Sequence, residues 1–156
     1  MELILLPGNT KSTNKPWIKE VEKKLSSLFN EIKVLYYKHW DTGEWLINLD
    51  LELNRLIKLI GKEKDYVILG KSAGAVLAIQ GVQERKISPK RCIFLGLPVY
   101  DCRKYKIELD EWIKNYKVPS LFVHSKKDPG IYSKDVKKYL KEKKVKNYIF
   151  AELEGS

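Results

Sequence analysis

Between Tyr66 and Ile79 the sequence changes character abruptly. Tyr66-Val67-Ile68-Leu69 is a run of β-formers that ends at Gly70, and from Gly74 the residues turn small and helix-compatible, Gly74-Ala75-Val76-Leu77-Ala78-Ile79. An unbroken apolar run is what a strand covered on both faces requires. The passage from strand to helix is compressed into Gly70-Lys71-Ser72-Ala73-Gly74, a Gly-x-Ser-x-Gly pattern. Such a turn is tight enough to strain the backbone at its centre and to bring the helix close to neighbouring strands, so glycines are needed on either side. It also lifts a serine hydroxyl to the tip of a sheet.

The rest of the chain repeats the strand-then-helix theme. Leu3–Leu6 is a continuous apolar run, followed by the polar, turn-rich loop Pro7-Gly8-Asn9-Thr10-Lys11-Ser12-Thr13-Asn14. Pro16 suits the first turn of a helix that should run to about Phe29, with Trp17, Val21, Leu25 and Leu28 on one face. A second strand is expected over Ile32–Tyr37, then a loop heavy in large side chains (His39, Trp40, Trp45) and a helix from about Asn48 to Ile60 stopped by Gly61. After the third strand, Tyr66–Leu69, a helix is expected from Ser72 to about Glu84. The fourth strand is Arg91–Leu95, with a helix near Leu109–Tyr116. The fifth is Ser120–His124, with a helix from Ser133 or Lys134 to about Lys143, and the sixth is Tyr148–Leu153. This alternation predicts one α/β domain over residues 1–156, a three-layer sandwich of about six mostly parallel strands in the order 2-1-3-4-5-6, with helices on both faces.

Composition narrows the class. At 156 residues and 44% hydrophobic, with 4 Trp, 9 Tyr and 4 Phe, the chain can bury a sizeable core. No apolar run approaches the roughly 20 residues that span a bilayer, and the N-terminus lacks the features of a secretory signal. Cys92 and Cys102 form neither a Cys-x-x-Cys motif nor a disulfide framework, so a reducing cytoplasm is the expected location. The net charge of +10 raises the question of nucleic acid. The lysines, however, are scattered beside glutamates along helical segments, as in Lys19-Glu20-Val21-Glu22-Lys23-Lys24. They read as solvated helix faces, with neither a nucleic-acid nor a membrane partner expected.

Three readings compete at Gly70-Lys71-Ser72. A phosphate-binding P-loop requires a glycine where Asp65 stands, and its loop positions are occupied here by strand. A structural turn with an incidental serine remains open. A nucleophile elbow requires partners, because a serine hydroxyl attacks only when a base takes its proton and two N–H groups receive the oxyanion. In the expected strand order the loop Pro7-Gly8-Asn9-Thr10 lies beside Ser72, so the N–H groups of Asn9 and Ala73 can form that oxyanion hole. Asp128, after the fifth strand, lies at the same sheet edge and can orient an imidazole, with an ordinary turn aspartate as the alternative. Asp101, after the fourth strand, is the reserve.

Together these elements resemble the α/β-hydrolase superfamily, in particular its small lidless serine hydrolases. The resemblance covers nearly the whole chain. It rests on Leu3-Ile4-Leu5-Leu6-Pro7-Gly8-Asn9, on Gly70-Lys71-Ser72-Ala73-Gly74, and on Leu121-Phe122-Val123-His124-Ser125-Lys126-Lys127-Asp128-Pro129. It implies Ser72 as nucleophile, Asn9 and Ala73 as oxyanion donors and Asp128 as acid, with no cofactor and no metal.

The resemblance also implies a histidine directly after the last strand, where this sequence reads Glu152-Leu153-Glu154-Gly155-Ser156. The expected explanation is a continuation past Ser156 that carries it. Otherwise the base is one of the two histidines present, His39 after the second strand or His124 on the fifth, or the fold has no base and serves as a binding protein. His39 is also a candidate, with Trp40 and Trp45, for lining the pocket, and Tyr100 is a further one. Only about a dozen residues, Leu97–Glu108, separate the fourth strand from the next expected helix. An open site of that kind suits a small soluble ester, thioester or acyl-amide.

Overall fold

In the computed structural model, which describes residues 1–155, six strands form one sheet in the order β2-β1-β3-β4-β5-β6, every pair parallel. The strands are β1 (Glu2–Leu6), β2 (Glu31–Val34), β3 (Tyr66–Lys71), β4 (Arg91–Leu95), β5 (Ser120–Ser125) and β6 (Tyr148–Leu153). Interleaved with them are α1 (Lys11–Leu25), α2 (His39–Thr42), α3 (Leu49–Ile60), α4 (Ala73–Gln83), α5 (Val99–Lys104), α6 (Leu109–Trp112) and α7 (Ser133–Glu142). The winding direction reverses between β1 and β3, the neighbours on either side of the switch, where ligand sites gather in open α/β sheets.

The larger core lies on one face, where Ile4, Leu6, Ile68, Phe94 and Phe122 pack against α3, α4 and α7. Helix α4 is buried from Gly74 through Gly81, which explains why its sequence is apolar all round rather than striped. On the opposite face Leu3, Leu5, Val67 and Leu69 pack against Ile18 of α1. Beyond α1 that face is thinly covered: Ile93, Leu95, Leu121 and Val123 are half-buried and Ile149 is 70% exposed. Among the described residues, no helix is long and apolar enough to cross a membrane.

The structure revises several boundaries. Helix α1 starts at Lys11, five residues ahead of Pro16, and ends at Leu25 rather than near Phe29. Proline inside a helix removes one i→i−4 bond, yet the first turn holds, because Asn14 donates its N–H to the Thr10 carbonyl at 3.0 Å. The Asn14 side chain also donates from Nδ2 to that carbonyl at 2.7 Å and accepts the Gly8 N–H at Oδ1, 2.9 Å. Strand β2 stops at Val34, because the chain leaves the sheet to bury Leu35 and Tyr37. The segments expected to be loops around His39 and after Leu97 contain the short helices α2 and α5.

Candidate active site

Ser72 stands between β3 and α4 with φ 52° and ψ −110°. Among the described residues five other non-glycine residues have positive φ, but each lies just after a helix or before β6, where a left-handed residue costs little. Ser72 does not share that excuse: its ψ falls outside the left-handed helical well, in territory that costs about 1–3 kcal/mol for a residue with a Cβ. The conformation is held from both sides. Its N–H donates to the Leu95 carbonyl of β4 at 2.9 Å, and its own carbonyl receives the N–H of Ala75 at 2.9 Å, opening α4.

The flanking glycines are required sterically. A Cβ on Gly74 would sit 2.1 Å from the Leu6 carbonyl oxygen, and one on Gly70 would sit 2.8 Å from the Ala75 nitrogen and the Gly74 carbonyl group. Helix α4 therefore starts in direct backbone contact with the end of β1, which brings the Pro7-Gly8-Asn9 loop alongside Ser72. Among the described residues neither the Asn9 N–H nor the Ala73 N–H donates to a protein acceptor.

Asn9 is held more firmly than its sequence suggests. Its carbonyl receives two bonds from α2, from His39 Nε2 at 2.7 Å and from Trp40 Nε1 at 2.9 Å. Its side chain spans the loop after α2: Nδ2 donates to the Trp45 carbonyl at 2.7 Å, and Oδ1 accepts the Ile47 N–H at 2.8 Å. The sequence pointed to the Asn9 N–H but gave no sign of this second role. An amide that can donate and accept at once is the only local hint.

Two hollows meet at Ser72. One, about 300 Å³, opens on the Asn9 side between the loops after β1, β2 and β4, with Ile47, Leu49, Val76, Cys102, Tyr105 and Ile107 among its walls. Trp45 and Tyr105 close over it edge to face, ring centroids 5.2 Å apart. Burial pushes the Cys102 thiol up to about 12, so that side chain is neutral, while Asp101 borders this hollow as well. The other hollow, about 250 Å³, lies on the β5 side and includes Tyr100, Asp101, His124 and Asp128. Lys71 borders both hollows and carries its ammonium 4.6 Å above the Trp17 ring, with desolvation holding its pKa below the ordinary lysine value.

Asp128 stands in the loop after β5, as expected from its place in the sequence. Its Oδ1 accepts the Gly130 N–H at 2.7 Å, the bond of a turn aspartate, while Oδ2 lies 3.7 Å from His124 Nε2. The two histidines are otherwise engaged. A carbonyl only accepts, so His39 Nε2 carries the proton it gives to Asn9, and the ring is buried, stacked on Tyr37 at 5.8 Å and absent from both hollows. His124, 3% exposed, likewise donates from Nε2 to the Ile131 carbonyl at 2.8 Å. Among the described residues, both Nδ1 atoms are buried without a protein partner. Trp40 packs against Tyr37 away from the hollows, so of the pocket candidates it is Trp45 and Tyr100 that reach the Ser72 region.

No protein-family model and no curated protein sequence matches the chain. Solved structures do. A Pectobacterium atrosepticum protein described as a YdeN-like hydrolase is 18% identical with a TM-score of 0.69, over 97% of this chain and 76% of that one. Est1E from Butyrivibrio proteoclasticus, solved with ferulic acid bound, is 15% identical with a TM-score of 0.63, over 97% and 79%. Mouse alpha/beta hydrolase domain-containing protein 10 is 12% identical with a TM-score of 0.62, over 96% and 79%. Strand order, all-parallel pairing and these likenesses agree: the chain has the α/β-hydrolase fold.

Proposed function

We propose that the protein is a serine hydrolase that cleaves a small ester, thioester or acyl-amide through an acyl-enzyme on Ser72. The observation that carries this reading is the strained backbone of Ser72 beside two N–H groups without protein acceptors, Asn9 and Ala73, at the junction of two hollows. Strain of this kind persists only where the surroundings over-determine it, and it clusters at functional positions. In the reaction, Ser72 Oγ bonds to the acyl carbon while its proton passes to an imidazole. The Asn9 and Ala73 N–H groups stabilise the oxyanion, an effect worth about 10²–10³ per donor in rate. The bond to the leaving atom then breaks, and that atom takes the proton from the imidazole. Water repeats the sequence to release the acid.

Asp128 is the group that orients the imidazole. That imidazole has to stand within reach of both Ser72 and Asp128, at the β5-side hollow, beside which β6 ends with Leu153 paired with Ser125. Without such a group, the oxyanion hole and binding leave a residual of only about 10³–10⁴-fold over water.

A second reading, a binding protein on the same fold, is favoured by one observation: both histidines of this chain already donate to carbonyls that fix loops. A fluorophosphonate probe separates the two. Labelling that vanishes in Ser72→Ala supports the hydrolase. Absence of labelling between about pH 6 and 9, in protein made from the complete gene, sinks it.

A further inference from the structure

We propose that the edge of the sheet opposite Ser72 carries a binding site for a small organic phosphate. The site is a hollow of about 450 Å³ between the end of α3, the turn before β3 and the loop from α4 to β4. The Tyr66 hydroxyl and a ring of cations receive the phosphate, and Ile57 and Ile60 receive the body to which it is esterified. The site goes beyond the hydrolase reading and does not depend on it.

This hollow collects charge of one sign. Lys64, Arg85, Lys86 and Lys90 line it, and none of the four forms an ion pair among the described residues. Glu63, the carboxylate among its walls, is already engaged. Its Oε1 accepts the N–H of Asp65 at 2.8 Å and that of Lys64 at 3.0 Å, and these bonds hold its pKa below the ordinary glutamate value. Lysines such as Lys24 and Lys114 neutralise a carboxylate about one turn away. Here four cations converge on one concavity without such a partner.

Cations on mobile side chains do not define a site by themselves; a fixed polar group does. Tyr66, the first residue of β3, is 3% exposed and lines the hollow. Its hydroxyl oxygen accepts the Ser88 N–H at 2.8 Å and its carbonyl accepts the Lys90 N–H at 2.9 Å, so one residue pins the loop at two points. The Gly81 carbonyl receives the N–H groups of Lys86 and Ile87. With those backbone donors spent, the remaining donors are side chains. The Tyr66 O–H proton has no acceptor among the described residues, and burial raises its pKa above the ordinary tyrosine value, so the proton stays on at neutral pH. A buried donor left without an acceptor is costly. Hydroxyl and ammonium groups together ask for a ligand rich in charged acceptor oxygens, which a phosphate is. Ile57, Ile60 and Ile87 add apolar wall. At roughly 30 Å³ for a water-sized group, a hollow of about 450 Å³ holds a phosphate together with the organic group it esterifies.

The test is titration with phenyl phosphate, inorganic phosphate, phenol and a duplex oligonucleotide, followed by the amide resonances of Ser88 and Lys90. It is run on the wild type, Tyr66→Phe and the double variant Lys64→Gln/Lys90→Gln. A second double variant, Lys134→Gln/Lys141→Gln on α7, removes the same charge elsewhere. Phenyl phosphate should shift both amides saturably and bind about tenfold more tightly than inorganic phosphate, because its ring leaves water. Tyr66→Phe should weaken it by about tenfold, the Lys64/Lys90 variant by about tenfold, and the α7 variant by less than about twofold. Equal losses in the two double variants would reduce the effect to general charge attraction and overturn the site. So would phenol binding as well as phenyl phosphate, or an oligonucleotide shifting these amides when phenyl phosphate does not. Tyr66→Phe also removes the acceptor of the Ser88 N–H, so its fold is checked first by thermal melting. If it does not fold, the two double variants decide; if it folds and binds like the wild type, the site is overturned.

Discussion

The imidazole of His39 places Nε2 2.7 Å from the carbonyl oxygen of Asn9 and donates its proton there. A histidine at the edge of the candidate site is thus engaged in holding a loop. With His39 replaced by Phe, the ring can still stack on Tyr37, and Trp40 Nε1 still reaches Asn9, but one of two bonds to that carbonyl is lost. The loss of one such bond should cost about 1 kcal/mol of stability. If the Asn9 N–H serves an oxyanion, phosphonate labelling of His39→Phe should slow by about tenfold. Unchanged labelling with the stability loss alone would show that the bond supports only the fold.

Gly74→Ala tests the contact between α4 and β1. The added methyl carbon would meet the Leu6 carbonyl oxygen at 2.1 Å, and backbone on both sides leaves nowhere to retreat. Destabilisation of at least about 3 kcal/mol is expected by urea denaturation. A near-neutral result would mean that the start of α4 can move away from the sheet.

Both cysteines should be silent in the native state. Burial pushes Cys92 and Cys102 to about 12, so at pH 8 their thiolate fraction is on the order of 10³ below that of an unfolded thiol. Alkylation monitored by mass spectrometry should proceed only through unfolding in urea. Rapid labelling of Cys102 alone would reveal that the wall of the hollow beside Trp45 and Tyr105 opens to solvent.

Asp110 supplies a pH test. Burial opposes its charge, but Arg103, Tyr139 and Lys143 together hold its pKa below the ordinary aspartate value. These partners tie α6 to α5 at 3.0 Å through Arg103 and to α7 at 2.8 Å through Tyr139. A depressed carboxylate contributes stability above its unfolded pKa and loses it as pH falls through the folded one. Asp110→Asn should therefore cost up to about 1 kcal/mol at pH 7, given the partial exposure of the site. The difference from wild type should persist down to the ordinary aspartate range, about pH 3.9, and be lost as pH falls below it through the depressed folded pKa.

Ser72→Gly should make the protein more stable, because glycine occupies φ 52°, ψ −110° without strain. A gain of about 1–2 kcal/mol would raise Tm by about 3–6 °C. Ser72→Ala should gain little, since it keeps the Cβ. Equal melting temperatures for serine and glycine would remove the strain argument and weaken the case for a nucleophile there.

Much of this architecture was readable in the residues. Apolar runs punctuated by Gly and Pro located all six strands, with β4 and β6 found to the residue, and the strand order followed from the alternation. Less legible was the start of α1, where Lys-Ser-Thr-Asn looks like loop. It is helix because Asn14 folds its amide back onto Gly8 and Thr10, a satisfaction that only the folded loop supplies. Near the site, chain order sufficed to bring Asn9, Ser72 and Asp128 to one sheet edge. It did not reveal which tryptophan would face the cavity. That choice depends on α2 ending at Gly43, φ 81°, which sends Trp40 inward and Trp45 over the hollow.

The contact between Gly74 and Leu6 also bears on how such a chain is compared with others. The approach of helix to strand asks for one hydrogen atom at position 74, and the turn before it asks for another at position 70. Neither demand says anything about the residues between and around them. A constraint expressed as a missing side chain occupies two letters of the sequence while fixing the path of the backbone through its busiest crossing. Chains can then share this path while agreeing at fewer than one position in five, as the 18% identity with a TM-score of 0.69 illustrates. Letter-by-letter comparison is nearly blind to a rule of this kind, whereas superposition of backbones detects it at once.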